Sequence, residues 1–536
     1  MSETPLVSVI IPTCDRPDYL DRALHSLEIQ TCTDFEAVVV NDGEMPVRAV
    51  LDKYAKTLRL TAVRHEQKRS GLSAARNSGL EASRGKFVTF LDDDDYFFEN
   101  HVEVLAEALT VSRSRMVYAD ALLAKQRDFG SGYETVSRRL PLSEEPDPAA
   151  LAVRNLLPVL CAMIDRSALG VVGNFAPYLR GHEDWDLWQR MIRFFPFRHL
   201  PVITGEYTVR TSADSLSGNT ETMRDTWIFC RRQGALHRAV PAVHDLDRAA
   251  GRASVLLRGS DNPAAGVVLT PGALDAATAE RLAAVLPQLG EAQPVLVLPD
   301  PVRAPEFVAS LARHCRVKPC VVTTEGDVGR VFAAGLGAAA CSARTLVFLE
   351  EDVLPRPGAV EALVAFLEAE PTVGIVGGVV ERPNFEPVAG GKFNRRRELI
   401  FAAPPKDAAR PWTVAAVPSL ALAVRRDAFA EAGGFDTAFA PGHYADADLS
   451  LRLAHAGRLA RIVPEARFSW NRDNLPLEQT PAGLIARRAF HDRHTPGSFD
   501  PKRLLDGADW SLRALPRPSD GIMPPSFNFT LPPRLR

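Results

Sequence analysis

Four consecutive aspartates, Asp92, Asp93, Asp94 and Asp95, directly follow a short apolar run at residues 87–91. An apolar run of this length is typical of a buried strand in a parallel sheet. Such a strand delivers the residues after it to the carboxyl edge of the sheet, where open α/β folds bind ligands. Crowded carboxylates repel one another unless a cation lies among them, and Mg²⁺ or Mn²⁺ prefers oxygen ligands. The run therefore predicts a divalent metal site that partners a phosphate, the alternative being a solvated acidic turn.

The residues around this run predict the elements that would position it. Strand patterns alternate with helical patterns, the strands at 7–11, 38–40 and 58–63 and the helices from Pro17 and over 71–83. Asp15 is predicted to cap the first of these helices. This alternation indicates an α/β fold with a parallel sheet and right-handed crossovers.

Ligand-binding residues should collect where the parallel strands end. Pro12, Thr13 and Asp42 follow the first two strands and should meet the acidic run at one edge of the sheet. The turn after the first strand, at residues 12–16, contains no glycine, so it lacks the G-x-G-x-x-G pattern of dinucleotide-binding oxidoreductases. A P-loop is absent from the sequence as well. A bound phosphate is thus expected to be held through a metal ion rather than by a glycine-rich loop.

The strand patterns occur twice along the chain. The three acid-terminated patterns recur at an offset of 258 residues, which pairs Asp42 with Asp300 and Asp94 with Asp352. Farther on, Asp184 corresponds to Asp446 at an offset of 262. Long-period repetition of this kind predicts two homologous α/β domains, at 1–245 and 262–475. The remaining residues, 476–536, are Pro-rich near their end and are predicted to form an arm rather than a third core.

The composition excludes several classes of function. The chain has 536 residues, of which 46% are hydrophobic and 24% are charged, and its formal net charge is −3. Without an overall basic field, nucleic acid is not expected as a partner. The sequence predicts neither a membrane span nor a secretory signal. Seven scattered cysteines favour free thiols in a reducing cytoplasm, and the short spacing of Cys315 and Cys320 lacks the second ligand pair of a zinc site.

The sequence resembles the family 2 glycosyltransferases, which use nucleotide sugars and have the A-type glycosyltransferase (GT-A) fold. The matching segments of the first domain are 7–13 (Val-Ser-Val-Ile-Ile-Pro-Thr), 38–43 (Val-Val-Val-Asn-Asp-Gly), 71–79 (Gly-Leu-Ser-Ala-Ala-Arg-Asn-Ser-Gly), 90–95 (Phe-Leu-Asp-Asp-Asp-Asp) and 183–188 (Glu-Asp-Trp-Asp-Leu-Trp). The second domain resembles the same family through 433–436, 445–452 and 463–467. The expected fold class is therefore two Rossmann-like GT-A domains in tandem, each with a mainly parallel central sheet and flanking helices.

The resemblance implies roles for individual residues. Thr13 and Asp42 match positions that hold the base and ribose of the nucleotide, and Pro12 lies beside them. Asp92 and Asp94 match the D-x-D motif, in which Asp94 is expected to ligate the metal and Asp92 to contact the ribose or the water shell of the metal. The remaining implied donor contacts near the sugar or diphosphate are Asp93, Arg76 and Asn77.

The resemblance also implies a general base at Asp184. A carboxylate within hydrogen-bond reach of an acceptor hydroxyl can remove its proton. Glu183 would orient Asp184 or raise its pKa by like-charge proximity. Taken alone, the Glu-Asp pair also fits a helix N-terminus, where the helix dipole stabilises acids. Attack opposite the leaving group would invert the anomeric centre.

Some residues depart from the family pattern. Arg210 stands where the family often has a histidine that ligates the metal, so Arg210 is predicted to hold the diphosphate directly. The second domain has Ala445 in the place of Glu183, although Asp300, Asp352 and Asp446 remain. This domain is expected to have weakened or absent catalysis.

The sequence thus predicts an inverting, metal-dependent glycosyltransferase. The donor would be a nucleotide diphosphate sugar, UDP-linked by preference, and the acceptor a glycan or a lipid-linked glycan in cell-surface polysaccharide assembly. A short basic run at residues 395–397 allows contact with anionic lipid at the inner face of the membrane or with a polyanionic acceptor, the alternative being a solvated surface. Two alternatives stay open: a bifunctional polymerase with two active sites, and a non-catalytic scaffold that binds nucleotide sugars.

Overall fold

A computed structural model gives the structure of the protein. It describes residues 4–494 apart from the segments 66–68, 113, 129–132, 140–147, 211–219, 239, 383–384, 394–398, 406–407, 441–443 and 471–480. The described residues form two compact units, at 4–238 and 240–494. The domain ranges expected above stay predictions, and the arm at 476–536 lies outside the described residues except for 481–494.

The first unit is an α/β fold. Its described strands are β1 (Val7–Thr13), β2 (Phe35–Asn41), β3 (Leu60–Arg64), β4 (Phe87–Phe90), β5 (Tyr96–Phe97), β6 (Met116–Asp128), β7 (Tyr133–Arg139), β8 (Ala162–Asp165) and β9 (Phe197–Arg210). Its described helices are α1 (Pro17–Glu28), α2 (Arg48–Tyr54), α3 (Leu72–Ala82), α4 (His101–Val111), α5 (Pro148–Leu151), α6 (Arg166–Val172), α7 (Glu183–Ile192) and α8 (Thr220–Arg238).

These strands form one sheet in the order β3-β2-β1-β4-β8-β6-β9-β5, and β7 pairs with β6. The first four strands of this order are parallel, and the rest of the sheet is mixed. Every residue of β1, β2 and β4 is buried, which is expected for strands covered on both faces. The carboxyl ends of these three strands therefore meet at one edge, as the sequence predicted.

One local prediction is wrong. Asp15 does not cap α1, whose N-cap residue is Arg16 without a side-chain hydrogen bond. Asp15 instead adopts a left-handed conformation, and its carboxylate accepts hydrogen bonds from the backbone N–H groups of Glu44 and Met45 (2.6 and 2.8 Å). The carboxylate thus ties the loop after β1 to the loop after β2.

The second unit has the same kind of fold. Its described strands are β10 (Ser254–Leu257), β11 (Ala265–Leu269), β12 (Gln293–Leu298), β13 (Cys320–Thr323), β14 (Thr345–Leu349), β15 (Val353–Pro355), β16 (Val373–Arg382), β17 (Phe385–Val388), β18 (Gly390–Phe393), β19 (Leu399–Ala402), β20 (Trp412–Thr413), β21 (Ala421–Arg425) and β22 (Leu459–Trp470). Its described helices are α9 (Val243–Ala250), α10 (Ala276–Val285), α11 (Ala304–Leu311), α12 (Gly329–Ala340), α13 (Ala359–Ala369), α14 (Arg426–Glu431), α15 (Ala445–His455) and α16 (Pro481–His494).

The second unit repeats the topology of the first. Its main sheet has the order β10-β13-β12-β11-β14-β21-β16-β22-β15, which matches the first sheet strand for strand once the extra β10 is set aside. Side-chain contacts repeat as well. Arg166 at the start of α6 donates to the carbonyls of Leu80 and Gly85, and Arg426 at the start of α14 donates to those of Ala338 and Ala343. The expected fold class is confirmed, although each sheet is parallel in only about half of its pairs.

The register shows that the repeat has a shift at its second strand. Val268 of β11 lies 258 residues after Ile10 of β1, but their partners, Val295 and Val38, are separated by 257. The position of Asp42 is therefore taken by the residue before Asp300. The constant offset inferred from the sequence is wrong at this strand, because the loops before it differ by one residue.

Among the helices that the structure describes, none combines the length and the apolar character that crossing a bilayer requires.

Candidate active site

The four aspartates that follow β4 alternate in burial. Asp93 and Asp95 are buried, whereas the side chains of Asp92 and Asp94 are 23% and 18% exposed. The Thr13 hydroxyl at the end of β1 donates a hydrogen bond to Asp93 (2.8 Å), and a backbone N–H of β9 donates one to Asp95 (2.8 Å). The two buried aspartates hold the turn in place, and the carboxylates of Asp92 and Asp94 lie on its partly exposed side.

Arg76 in α3 joins the acidic run to the start of α7. One of its terminal nitrogens donates to both carboxylate oxygens of Asp92 (2.7 and 2.9 Å), and the other donates to Glu183 (2.6 Å). Its guanidinium lies over the ring of Phe175, 5.3 Å from the ring centroid. Burial by itself would lower the pKa of Arg76, but Asp92 and Glu183 raise it above its usual value. Arg76 therefore stays charged and links the acidic run to the residue beside Asp184.

Arg16, just after β1, is a second cation at the acidic run. It lies 2.6 Å from Asp93 and 3.3 Å from Asp94. Burial, together with the charge of Asp94, raises the pKa of Asp93 to about 7, although Arg16 opposes the shift. Burial also raises the pKa of Asp95 well above its ordinary value, and the charges of Asp94 and Asp92 add to this effect. The run consequently carries less negative charge at neutral pH than four aspartates would suggest.

Asp184 is the second residue of α7 and is half-buried. One of its carboxylate oxygens accepts a hydrogen bond from the Asn155 amide (2.9 Å), and the other accepts one from the Trp185 backbone N–H (2.7 Å). Burial and the neighbouring Glu183 raise the pKa of Asp184 to about 7, against the opposing effects of Arg76 and Asn155. A carboxylate with a pKa near neutrality is suited to general-base catalysis.

The Asn155 amide is expected to tune the pH dependence of this carboxylate. A donor that bonds the ionised form lowers the pKa of an acid, so Asn155→Ala should raise the pKa of Asp184. We expect the acidic limb of the kcat/KM profile for sugar transfer to move up by about one pH unit, with the rate restored at higher pH. The side-chain amide oxygen of Asn155 also accepts a hydrogen bond from the Leu157 N–H. A lower rate at alkaline pH with no shift of the acidic limb would therefore show that Asn155 only supports the local fold.

Asp42 follows β2 and organises the turn that precedes α3. Its carboxylate accepts hydrogen bonds from the backbone N–H groups of Ser70 and Gly71 (both 3.0 Å) and from the Ser70 hydroxyl (2.6 Å). It is 5% exposed, and His65 lies 3.5 Å away. The predicted contact of Asp42 with the nucleotide stays a prediction, and the structure adds a role in shaping that loop.

Other predicted donor residues make contacts within the fold. The Asn77 side chain donates to the Phe175 carbonyl (2.9 Å) and accepts from the Phe175 N–H (3.1 Å). Pro12 is buried in β1. The side chain of Arg210, the last residue of β9, lies outside the described part of the structure, so its predicted diphosphate contact stays a prediction.

Several residues of the site were not singled out by sequence reasoning. Arg16 and Asn155 are two of them, and their partners lie far along the chain. Arg22 in α1 donates to the backbone carbonyl of Asp94 (3.0 Å) and forms an ion pair with Glu206 of β9 (2.9 Å). Tyr207 is half-buried; burial, followed by the charges of nearby acids that include Asp184, raises the pKa of its phenol, so Tyr207 is neutral at this site. The signal that the sequence offered was Arg16, three residues after the end of the first strand.

The second unit arranges its predicted residues differently. Asp446, the second residue of α15, accepts a hydrogen bond from the Ser419 N–H (2.6 Å). Asp352 follows β14 and lines a cavity at the carboxyl edge of the sheet. Asp300 accepts from the backbone N–H groups of Val302 and Arg303 (2.9 and 3.1 Å), so it shapes a turn before α11.

The acidic run of the first unit fits a divalent cation. Within the described residues, no three His, Cys, Asp or Glu side chains form a complete metal cluster. Asp94 is nevertheless a partly exposed carboxylate with a second partly exposed carboxylate, Asp92, two residues away. Mg²⁺ and similar cations are commonly held by one or two carboxylates, with water and substrate phosphates completing the shell. The donor set therefore suits a metal that arrives with a phosphorylated substrate.

The sequence of the first unit is similar to that of known proteins. Residues 8–173 match the family model described as "Glycosyl transferase family 2". The uncharacterized glycosyltransferase YwdF of Bacillus subtilis is 26% identical over 41% of this chain and 81% of its own length. TuaG of the same organism, named as a candidate teichuronic acid biosynthesis glycosyltransferase, is 28% identical over 44% of this chain and 90% of its own length. The crystal structure of residues 1–349 of S. aureus TarS aligns with a TM-score of 0.34 and 21% identity, over 43% of this chain and 68% of that one.

Residues 8–173 of the first unit thus match the family 2 glycosyltransferases, and they lie within an α/β fold of the GT-A class. The second unit repeats that topology on a sequence in which Arg76 and Glu183 are replaced by Ala334 and Ala445.

Proposed function

We propose that the first unit is an inverting glycosyltransferase that moves a sugar from a nucleoside diphosphate sugar, a UDP-sugar by preference, to a hydroxyl of a glycan or lipid-linked acceptor. The name of TuaG supports a place in cell-surface polysaccharide assembly. Reaction in a reducing compartment such as the cytoplasm agrees with the seven cysteines, all of which lie in the described residues and none of which forms a disulfide. A divalent cation, Mn²⁺ or Mg²⁺, belongs to the proposal.

The observation that carries the proposal is the bridge made by Arg76. One guanidinium contacts Asp92 of the acidic run and Glu183 beside Asp184 (2.7 and 2.6 Å). Because this arginine is buried, the acids that would hold the donor and the acid that would accept a proton have a fixed separation. Transfer between two bound substrates requires such fixed placement, since effective concentration falls quickly when the reacting groups are displaced.

The chemistry follows from the positions of these side chains. Asp184 accepts the proton of the acceptor hydroxyl while the oxygen forms a bond to the anomeric carbon of the donor sugar. The bond from that carbon to the diphosphate oxygen breaks on the opposite face, and the nucleoside diphosphate leaves. Asp94, with Asp92, would hold a divalent cation, which supplies charge neutralisation to the departing diphosphate. Arg16 adds positive charge beside the acidic run, at the same edge of the sheet.

Removal of the metal tests the proposal directly. We expect EDTA to abolish sugar transfer by the full-length protein and Mn²⁺ or Mg²⁺ to restore it, when a panel of nucleoside diphosphate sugars is assayed with a mixed acceptor extract. Asp94→Asn should raise the Mn²⁺ concentration for half-maximal rate by at least about tenfold. Asp52→Asn, an exposed acid on α2, is the matched control and should leave that concentration unchanged. Full activity in EDTA would refute the metal requirement, and no turnover of any donor would favour the scaffold alternative.

A further inference from the structure

Helix α8 of the first unit is held against the loop that positions Asp184. Arg231 of this helix donates a hydrogen bond to the Val153 carbonyl (3.1 Å). Two residues farther along the loop, Asn155 donates to the carboxylate of Asp184 (2.9 Å). Gly234 lies so close to the backbone just before this loop that a Cβ would not fit there. One flank of α8 therefore adjoins the candidate base through a single short loop.

A tryptophan and three arginines share the solvent side of this helix. Arg224, Trp227, Arg231 and Arg238 follow one another at intervals of three, four and seven residues, which places them on one face. We call these four residues the α8 stripe. Trp227 is 45% exposed, Arg224 and Arg238 are exposed, and Arg231 is half-buried. At 1.5 Å per residue the stripe is ~21 Å long.

The aromatic and the charged side chains of the stripe lie close together. The guanidinium carbon of Arg231 is 5.2 Å from the centroid of the Trp227 indole. A single exposed apolar residue on a protein surface is ordinary. An exposed indole with an arginine beside it, next to the loop of a candidate base, is a more specific arrangement, since tryptophan and arginine dominate the energetics of binding surfaces.

The second unit has a helix that packs in the same place, and it allows a comparison. Phe229 of α8 lies near Tyr178, with 6.3 Å between the ring centroids. Phe490 of α16 lies near Phe439, with 6.5 Å between the centroids. Both members of the second pair follow those of the first by 261 residues. Helix α16 is thus the counterpart of α8.

This counterpart does not repeat the α8 stripe. At the same offset, the first three residues of the stripe correspond to Ile485, Arg488 and Asp492. Ile485 and Arg488 are buried, and Arg488 forms an ion pair with Asp492 (3.3 Å). A helix can therefore pack at this place without an exposed tryptophan or an arginine-rich face. The stripe is not a requirement of the fold, so it calls for another explanation.

The chemistry of the stripe fits a glycan that carries acidic groups. An exposed indole offers a flat apolar surface with a polar edge, and the C–H face of a sugar ring can pack on such a surface. A guanidinium binds a carboxylate or a phosphate through two parallel hydrogen bonds. Arginines spread over ~21 Å suit a chain of acidic sugars better than one small ligand.

We propose that the α8 stripe binds the acceptor and that the acceptor is an acidic glycan, with carboxylate or phosphate groups on its sugars. A sugar ring of the acceptor packs on Trp227, and its acidic groups pair with Arg224, Arg231 and Arg238. The chain then ends at Asp184, which meets the hydroxyl that receives the sugar. The name acceptor rests on the proposed function, and the stripe adds the chemical class of that acceptor.

Binding to the full-length protein, without donor or metal, tests this proposal. The probes are oligogalacturonate, phosphorylated maltooligosaccharides and neutral maltooligosaccharides of the same length. At least one acidic probe should bind at least about tenfold more tightly than the neutral one. Trp227→Ala should weaken that binding by at least about tenfold, whereas Trp227→Phe, which keeps an aromatic ring, should retain most of it. Thermal unfolding checks the fold of both variants.

A matched pair of charge reversals separates the stripe from the overall charge. Arg224→Glu should weaken binding of the acidic probe by at least about tenfold. Arg48→Glu makes the same change of net charge at an arginine of α2 that is 84% exposed, and it should leave binding unchanged. Equal losses in the two variants would overturn the proposal. Equal binding of neutral and acidic probes, or no binding of either acidic probe, would overturn it as well.

Vesicles of phosphatidylglycerol and phosphatidylcholine test the other anionic surface that arginines could meet. If Trp227→Ala and Arg224→Glu reduced binding to these vesicles and left binding of the acidic probes unchanged, the stripe would be a membrane contact and the proposal would be wrong. Loss of glycan binding with unchanged vesicle binding would support it.

Kinetics distinguish this proposal from the proposed function. In sugar transfer, Trp227→Ala should raise KM for the acidic acceptor by about tenfold and change kcat little, because the contact is the same in the ground and transition states. Acidic glycan binding at the stripe without turnover of any donor would refute the transferase and leave the binding site. Transfer to acceptors whose KM does not change in Trp227→Ala would refute the stripe and leave the transferase.

Discussion

We expect Asp184→Asn to lower kcat/KM for sugar transfer by about 10²–10⁴-fold, the usual contribution of a general base. The raised pKa of Asp184, about 7, also sets the pH dependence. In the wild type the rate should rise with pH up to about 7 and then level off, because the base must be ionised to accept a proton. That limb should be absent from the variant, and its donor affinity, measured by dialysis, should change little.

The fold should tolerate this substitution well. Because the folded protein favours the neutral form of Asp184, ionisation of this group weakens stability as pH rises from its usual pKa toward 7. Asparagine removes that ionisation, so the first unit of the variant should be at least as stable as the wild type at pH 8. A large loss of stability at that pH would contradict the environment described for Asp184.

The second unit offers a matched control for this variant. Asp446→Asn changes the corresponding residue of α15, and we expect it to leave the rate of transfer unchanged. A loss as large as that of Asp184→Asn would instead support two active sites and a bifunctional polymerase. Loss of different linkages in the two variants would point to the same alternative.

Arg76→Ala should have the largest effect on stability. Arg76 is 1% exposed and is the ion-pair partner of both Asp92 and Glu183. Removing one partner from a buried ion pair leaves an uncompensated charge, which costs about 3–5 kcal/mol. Hydrogen exchange of the α3 and α7 amides reports this loss for the first unit alone, which a global melting curve of a two-unit chain does not. Sugar transfer should fall to background as well.

The second unit indicates how this loss can be relieved. It has alanine at both positions, Ala334 and Ala445, where the first unit has Arg76 and Glu183. The double variant Arg76→Ala, Glu183→Ala should therefore recover about 1–3 kcal/mol relative to Arg76→Ala, because the buried Glu183 charge is gone. Transfer should stay lost in both. If the double variant were less stable than Arg76→Ala, Arg76 would be supporting the fold through packing on Phe175 rather than through charge.

The sequence predicted the parallel half of the first sheet well, for a physical reason. Strands covered on both faces must be apolar along their whole length, so β1, β2 and β4 could be located from composition alone. The acids that follow these strands must then lie together at the carboxyl edge of the sheet. Contacts such as Asn155 with Asp184 and Arg16 with Asp93 could not be predicted, because they join segments whose relative position only the fold decides.

Local geometry limited the prediction in other places. Asp15 was expected at a helix N-cap because its residue type suits that position, but two backbone N–H groups from the next loop compete for its carboxylate. The correspondence of Asp42 with Asp300 failed by one residue, because acids near strand ends are common and only strand register distinguishes them.

If the two halves arose by gene duplication, the paired alanines Ala334 and Ala445 also limit how they could have diverged. An ancestor with the buried arginine and glutamate could not lose either residue without leaving the other charge buried and without its ion-pair partner. Selection for a stable chain would have opposed that step in a copy still needed for catalysis. A copy that was no longer needed for catalysis, or that a bound ligand stabilised, could have passed through this less stable form. Resurrected intermediates carrying one alanine would show whether that barrier existed.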